Sequence, residues 1–419
     1  MNIMYLTWGE TPRSFGVFGS QVIGQFVETM ALLPGSHSLF VSGVPLIHSG
    51  LVREKLRYVN ELKKVKNKLY PMSFEWVTIL MAQNVVVPSR RTFDWIYAGA
   101  WNRLRTLIEQ FEPDIVHCRS YHAAWAALQA RRRFGGRYRI VFDARGLFPE
   151  EVALKRRYHD QSPDYVYLKG VERDLLDGCD VTVAVSDTMS EHFRTLGARQ
   201  VELVYLSASY ARLRASRDRM GALRHRLEFC YVGALSEDTW HKPSSLVRIF
   251  ARLKADFPDA KLTIVSTSSH RAIRQHFIQW PDADVEITST KTSEELKRYL
   301  MRADIGLMSY FEPSTPREVM LADMVMAVKI AEYLCAGLPV IVNHYCGGAA
   351  RVIAQHGLGV VYDPGQLAAL DVNRIRQLVE EPGARDRISS TARQLFDYTV
   401  HASQYADLYR RLSLVSPCE

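Results

Sequence analysis

The 419-residue chain has few cysteines and no pairing pattern among them. Cys118, Cys179, Cys230, Cys335, Cys346 and Cys418 are scattered, and no C-x-x-C occurs. That spacing argues against a disulfide scaffold or a zinc site and leaves reduced, mostly buried thiols as the expectation. Long hydrophobic runs are also missing: no stretch reaches the roughly 20 apolar residues of a membrane-spanning helix. Acidic residues are in the minority, 45 Asp and Glu against 53 Lys and Arg, for a formal charge of +8. That sign suits phosphate-bearing substrates, anionic membrane surfaces and nucleic acid alike, but no recognisable nucleic-acid module accompanies it. The opening MNIMYLTWGETPRS lacks a basic segment followed by a long apolar core. It reads as a first strand rather than a secretory signal, and a cytoplasmic location is expected.

What the chain does have is length for two domains and an ordinary hydrophobic fraction of 47%. Short β-branched runs alternate with helical stretches in two series. The first comprises Ile3–Trp8, Ser38–Val41, Asp114–His117, Ile140–Asp143, Val181–Val185 and Leu203–Leu206. The second comprises Phe229–Val232, Leu262–Ser266, Val285–Ile287, Ile305–Met308, Val340–Val342 and Val360–Tyr362. Continuous apolar strands between helices indicate parallel sheets covered on both faces, so two doubly wound α/β domains with a cleft between them are expected. The Arg-rich stretch Ser207–Leu227 has no strand pattern and marks the boundary. The expected division is 1–207, 208–395 and a C-terminal helix in 396–419 that packs back on the first domain. Ser186 suits an N-cap, and Thr292 with Glu295 reads as a capping box.

Open parallel sheets bind ligands at the carboxyl ends of their strands, so polar residues there carry the chemistry. After the first strand of the second series comes Tyr231-Val-Gly233-Ala-Leu-Ser-Glu-Asp-Thr-Trp-His241-Lys242. Gly233 lets a ligand approach the backbone, and Lys242 brings a cation to the start of the next helix, as a diphosphate requires. The plainer reading of Lys242 is a solvated surface lysine. Farther on lies Lys329-Ile-Ala-Glu332-Tyr-Leu-Cys-Ala-Gly337-Leu-Pro339-Val-Ile-Val-Asn343. Lys329 and Glu332 share a helix face, Gly337 ends the helix, and Pro339 opens a buried strand. A carboxylate in this place can accept both hydroxyls of a ribose; the plainer reading is an exposed helical ion pair.

This segment resembles the nucleotide-sugar signature of retaining GT-B glycosyltransferases, in particular family four. Tyr231-Val-Gly233 with Lys242, the stretch Ser293–Gly306 with its Leu-Met-Ser strand end, and Asn343-His-Tyr-Cys-Gly-Gly-Ala-Ala-Arg-Val-Ile resemble it too. So do Phe142-Asp143-Ala-Arg145-Gly146-Leu-Phe-Pro-Glu150-Glu151, Asp114-Ile-Val-His117-Cys-Arg119-Ser120 and Ala184-Val-Ser186 in the first half. The resemblance implies two Rossmann-like domains with an interdomain cleft. It makes Glu332 the ribose carboxylate, Lys242 the diphosphate lysine, and Gly347 and Gly348 part of the turn near the donor. Gly233 and Lys329 join this donor set. His117 or Arg119 is expected at a strand end facing the donor sugar, with Asp143 and Arg145 on the next strand end, toward the acceptor; these four and Lys242 form the catalytic set. Two positions depart from the family. Met324 stands where it often has an acid, with Asp323 and Asp304 the nearest acids in sequence, and Ala234 stands where it often has Arg. No D-x-D lies at a strand end, so no catalytic metal and no cofactor beyond the co-substrate nucleotide sugar is expected.

Two weaker features remain. Phe15-Gly16-Val-Phe-Gly19-Ser20-Gln21 follows the first strand; Gly16 and Gly19 either turn backbone N–H groups toward a phosphate or simply make a turn. Residues 52–70 repeat apolar residues at helical spacing with seven Lys and Arg against two Glu, and aromatic and apolar residues follow to 81. This is either a peripheral site for the anionic inner face of a membrane or a helix packed on its own domain. The expected function is transfer of a sugar, with retention, from a nucleotide donor to a glycan or lipid-linked acceptor in cell-surface polysaccharide or lipopolysaccharide assembly. A sugar-nucleotide epimerase and a catalytically degenerate scaffold are the rival readings.

Overall fold

The computed structural model describes residues 1–8, 18–45, 75–81, 90–214, 226–237, 239–290 and 292–414. The chain divides into two compact units: Met1–Tyr205 together with His401–Glu419, and Leu206–Val400.

The first unit is built on a seven-stranded parallel sheet ordered β3-β2-β1-β4-β5-β6-β7. Its strands are β1 Asn2–Trp8, β2 His37–Pro45, β3 Glu75–Met81, β4 Ile115–Arg119, β5 Arg139–Asp143, β6 Val181–Ala184 and β7 Val201–Leu203. All five residues of β4 are buried, as continuous apolar strands between helices demand. The helix Asp187–Thr195 starts where Ser186 Oγ accepts the Met189 N–H at 3.2 Å, the cap that the sequence implies. Tyr405, Leu408 and Tyr409 of the last helix, Tyr398–Leu414, join Ile3, Tyr5, Phe26, Phe40 and Ile115 in this core.

Sequence reading misses β3. The composition of residues 75–81 reads as a continuation of the basic stretch, but Glu75–Met81 pairs in parallel with Leu39–Pro45 as the sheet's edge strand. Residues 52–70 and Gly16 lie outside the described residues. Among the described residues, no helix is long and apolar enough to cross a membrane.

The second unit holds a six-stranded parallel sheet ordered β10-β9-β8-β11-β12-β13. The strands are β8 Glu228–Val232, β9 Lys261–Val265, β10 Val285–Thr288, β11 Ile305–Met308, β12 Val340–Asn343 and β13 Gly359–Tyr362. Thr292 Oγ1 caps the helix Ser293–Arg302 by accepting the Glu295 N–H. A full capping box sits elsewhere, between Thr315 and Glu318 at the start of Pro316–Met324. In both sheets the strand order reverses once, between β1 and β4 and between β8 and β11, and these two switch points are where a doubly wound sheet opens to a ligand.

Candidate active site

At the second unit's switch point, β8 and β11 are paired only at Ile305–Phe229 and Gly306–Cys230. Tyr333, on the helix Val328–Cys335, bridges the ends beyond: its hydroxyl accepts the Val232 N–H at 2.7 Å and donates to the Leu307 carbonyl at 3.3 Å. A side chain on Gly306 would strike the Tyr333 ring at 2.7 Å. This wedge fixes the helix over the open strand ends and so places Lys329 and Glu332.

Lys329 and Glu332 do not form the ion pair that their spacing allows. Lys329 Nζ instead donates to the Tyr231 hydroxyl at 3.1 Å and lies 4.5 Å from the centre of that ring. The Tyr231 hydroxyl in turn donates to the Ala234 carbonyl at 2.7 Å, tying the lysine to the turn after β8. Gly233 suits that turn through its backbone, and it leaves room for the lysine. Its φ is 128°, and a Cβ would stand 2.9 Å from Lys329 Nζ. Glu332 is partly exposed, and among the described residues no hydrogen bond or ion pair holds its carboxylate. Burial raises its pKa, against the pull of Lys329.

Lys242 is the N-cap of Pro243–Asp256, with no side-chain cap bond, so the N–H groups of the first helical turn are open to an anion. The loop before it packs on the end of β11. Phe311 N donates to the Trp240 carbonyl at 2.8 Å, and His241 Nδ1 lies 3.0 Å from the Ser309 carbonyl. The His241 ring meets Tyr231 and Tyr310 edge-on, and burial, then Lys329, hold its pKa well below normal. The buried Ser309 Oγ and Asn343 Oδ1, at the ends of β11 and β12, have no hydrogen-bond partner among the described residues. Sequence reading gives no role to His241, Ser309 or Asn343; Ser309 directly after β11 and Asn343 at the end of β12 carry the positional signal, and His241, in the loop before a helix, carries none.

The structure also places the glycines and acids that the sequence singles out. Gly347 and Gly348 open the helix Gly347–His356, and a Cβ on Gly347 would strike the Asp323 backbone at 2.3 Å. Gly347 is needed for packing against the end of Pro316–Met324. Asp323 is 44% exposed and faces Arg351 at 3.5 Å, so it does not turn inward to replace the acid missing at the buried Met324. Asp304 accepts the Glu228 N–H at 2.9 Å, at the opposite end of the sheet from the turn after β8.

At the first unit's switch point the strands lie in register, Arg119 beside Asp143 and Tyr5 beside His117, all on one face. His117 is not at the strand end. It lies two residues inside, only 1% exposed, stacked on Tyr5 at 4.5 Å and bonded through Nδ1 to the Tyr409 hydroxyl at 2.7 Å. Asp143 is the hub: His117 Nε2 lies 3.6 Å away, Arg119 3.7 Å and Arg145 3.5 Å, all longer than ordinary hydrogen bonds. Burial lowers the His117 pKa, so the ring is neutral. Burial alone would raise Asp143, but Arg145, His117 and Arg119 together hold it below the usual carboxylate range. Ser120, directly after β4, and Arg145, two residues after β5 ends, adopt φ of 74° and 63°. Left-handed non-glycine residues cost roughly 1–3 kcal/mol each and concentrate at functional sites. Among the described residues, no group of three or more His, Cys, Asp or Glu side chains is arranged to hold a metal ion.

The domain description Glycosyltransferase Family 4 matches residues 74–207, and Glycosyl transferases group 1 matches residues 226–381. No curated protein matches the sequence. Among solved structures, the fold is similar to sucrose-phosphate synthase from Thermosynechococcus elongatus, at 16% identity and a TM-score of 0.66 over 98% of this chain and 99% of that one. It is also similar to Anabaena HepE in complex with UDP, at 14% identity and a TM-score of 0.66 over 98% of this chain and 100% of that one. A putative UDP-N-acetylglucosamine 2-epimerase from Listeria monocytogenes shares the fold at 11% identity and a TM-score of 0.57, covering 99% of this chain and 98% of that one. The class these observations define is the GT-B transferase, two Rossmann-like units each open at a switch point. The chain belongs to the glycosyltransferases built from the family four and group 1 domains and is a nucleotide-sugar-dependent enzyme.

Proposed function

We propose that this enzyme transfers a sugar, with retention, from a nucleotide-sugar donor to a glycan or lipid-linked acceptor in cell-surface polysaccharide or lipopolysaccharide assembly. The carrying observation is the second unit's switch point: the Gly233 turn ends β8, Lys242 heads the helix that follows, and Glu332, without a hydrogen-bond partner among the described residues, lies on the helix that Tyr333 fixes over the strand ends. In this reading Glu332 accepts the ribose hydroxyls, and Lys242 neutralises the charge that grows on the diphosphate as the glycosidic bond breaks. HepE has been solved with UDP and with UDP-glucose, which supports a uridine donor for the first trials. The first unit serves the acceptor. Arg119 and Arg145 present cations around ionised Asp143, and neutral His117 positions that carboxylate from within. Membrane attachment through residues 52–70 belongs to the same reading and would hold the enzyme at the inner face of the cell membrane.

Epimerisation is the competing reading, favoured by the shared fold of the epimerase. Incubating purified protein with UDP-glucose and other nucleotide sugars separates the two. A transferase releases nucleoside diphosphate faster when acceptor is added. An epimerase converts the donor without acceptor, and a scaffold does neither.

A further inference from the structure

We propose that Lys329 is a second phosphate-binding cation of the donor site and that it takes up a proton when a nucleotide sugar binds. The inference rests on the donor reading above and gives Lys329, one of its donor residues, a phosphate contact and a proton linkage. The geometry is specific. Lys329 Nζ is anchored to the Tyr231 hydroxyl at 3.1 Å, lies over that ring, and sits against Gly233, 2.9 Å from where a Cβ would stand. Among the described residues no carboxylate is bonded to it; Glu332 acts on it only through space. A helical lysine whose Nζ reaches the end of β8, beside a glycine turn and without an anion, lacks the partner that a largely desolvated ammonium requires.

The surrounding groups explain the linkage. Tyr231 from β8 and His241 from the loop ahead of Pro243–Asp256 are polar but neutral. Glu332 lies one turn along the same helix, and Cys346 caps the next. Burial pushes the Lys329 ammonium down to about 7, with Cys346 and Glu332 opposing the shift. Near pH 8 most of the unliganded protein therefore carries a neutral Lys329. A phosphate oxygen beside Nζ favours the charged form and raises the pKa, so binding draws a proton from solvent.

Nucleotide sugars make clean probes, because their diphosphate diester carries no proton that titrates near neutral pH. The experiment is calorimetric titration of the full-length protein with UDP-glucose, GDP-mannose, ADP-glucose and dTDP-glucose in buffers of different ionisation enthalpy. The slope of apparent enthalpy against buffer enthalpy gives the protons taken up. We expect about 0.9 proton per nucleotide at pH 8 and about 0.1 at pH 6, with affinity falling about tenfold per pH unit above 7. Lys329→Met should lose both the uptake and the pH dependence. Lys329→Arg, charged throughout, should bind with no uptake. Zero uptake by a wild-type protein that binds donor overturns the inference and leaves the donor reading intact. Uptake that survives in Lys329→Met assigns the proton elsewhere, with His241 the nearest other base, and overturns it too. If no nucleotide sugar binds, the donor reading itself fails and this inference falls with it.

Discussion

The Tyr409 hydroxyl lies 2.7 Å from Nδ1 of His117, a contact across 292 residues of sequence. It ties the last helix to the strand that carries the first unit's switch-point cluster. Tyr409→Phe leaves a buried imidazole nitrogen without its partner, and an unsatisfied buried polar group costs about 1–3 kcal/mol. Urea unfolding of the variant should show a loss of that size; a midpoint equal to the wild type's would mean the bond contributes nothing.

Glu332→Ala should weaken nucleotide binding by about 1.5–3 kcal/mol, roughly ten- to hundredfold, because hydrogen bonds to a charged acceptor are lost. Calorimetry with a nucleoside diphosphate reads this directly. Unchanged affinity would remove Glu332 from the ribose site.

The strands were legible because fully buried parallel strands are written as continuous β-branched runs. Ile305–Met308 was bounded as observed, and most others lay within one or two residues. The edge strand Glu75–Met81 escaped because the basic stretch before it drew the whole run toward a lipid surface. His117 was set two residues too far along because β4 continues through Cys118 and the charged Arg119. Its enclosure by Tyr405 and Tyr409 depends on a helix nearly 300 residues away, which no local pattern announces. Lys329 and Glu332 were correctly placed on one helix, but spacing alone suggested a mutual pair. Tyr231, from a strand 98 residues earlier, takes the lysine instead.

Gly347→Ala tests packing rather than chemistry. Its Cβ would meet the Asp323 backbone, which cannot rotate away as a side chain can. Overpacking of this kind costs about 1–3 kcal/mol, so the variant should melt at a lower temperature. Wild-type melting would show that the two helices part freely.

Acid should destabilise the protein before its carboxylates titrate. Burial holds His122 down to about 3, below the value near 6.5 of an unfolded chain. Between those values the unfolded state binds the extra proton, so stability is full above pH 6.5 and falls as pH drops toward 3. The slope from His122 alone is about 1.4 kcal/mol per pH unit. Urea unfolding at pH 7.5 and 5.5 should differ accordingly, and His122→Asn should narrow the difference. An equal difference in the variant would contradict the assignment.

The central claim is that the second unit spends its donor contacts on a departing diphosphate. Release of nucleoside diphosphate from a panel of nucleotide sugars, with and without acceptor glycan, measures it. The account predicts that one donor is consumed, faster with acceptor, and that Lys242→Ala lowers kcat by more than it raises KM, since the contact strengthens as charge develops. A panel in which no donor is bound or consumed, or a donor interconverted without acceptor, would contradict it.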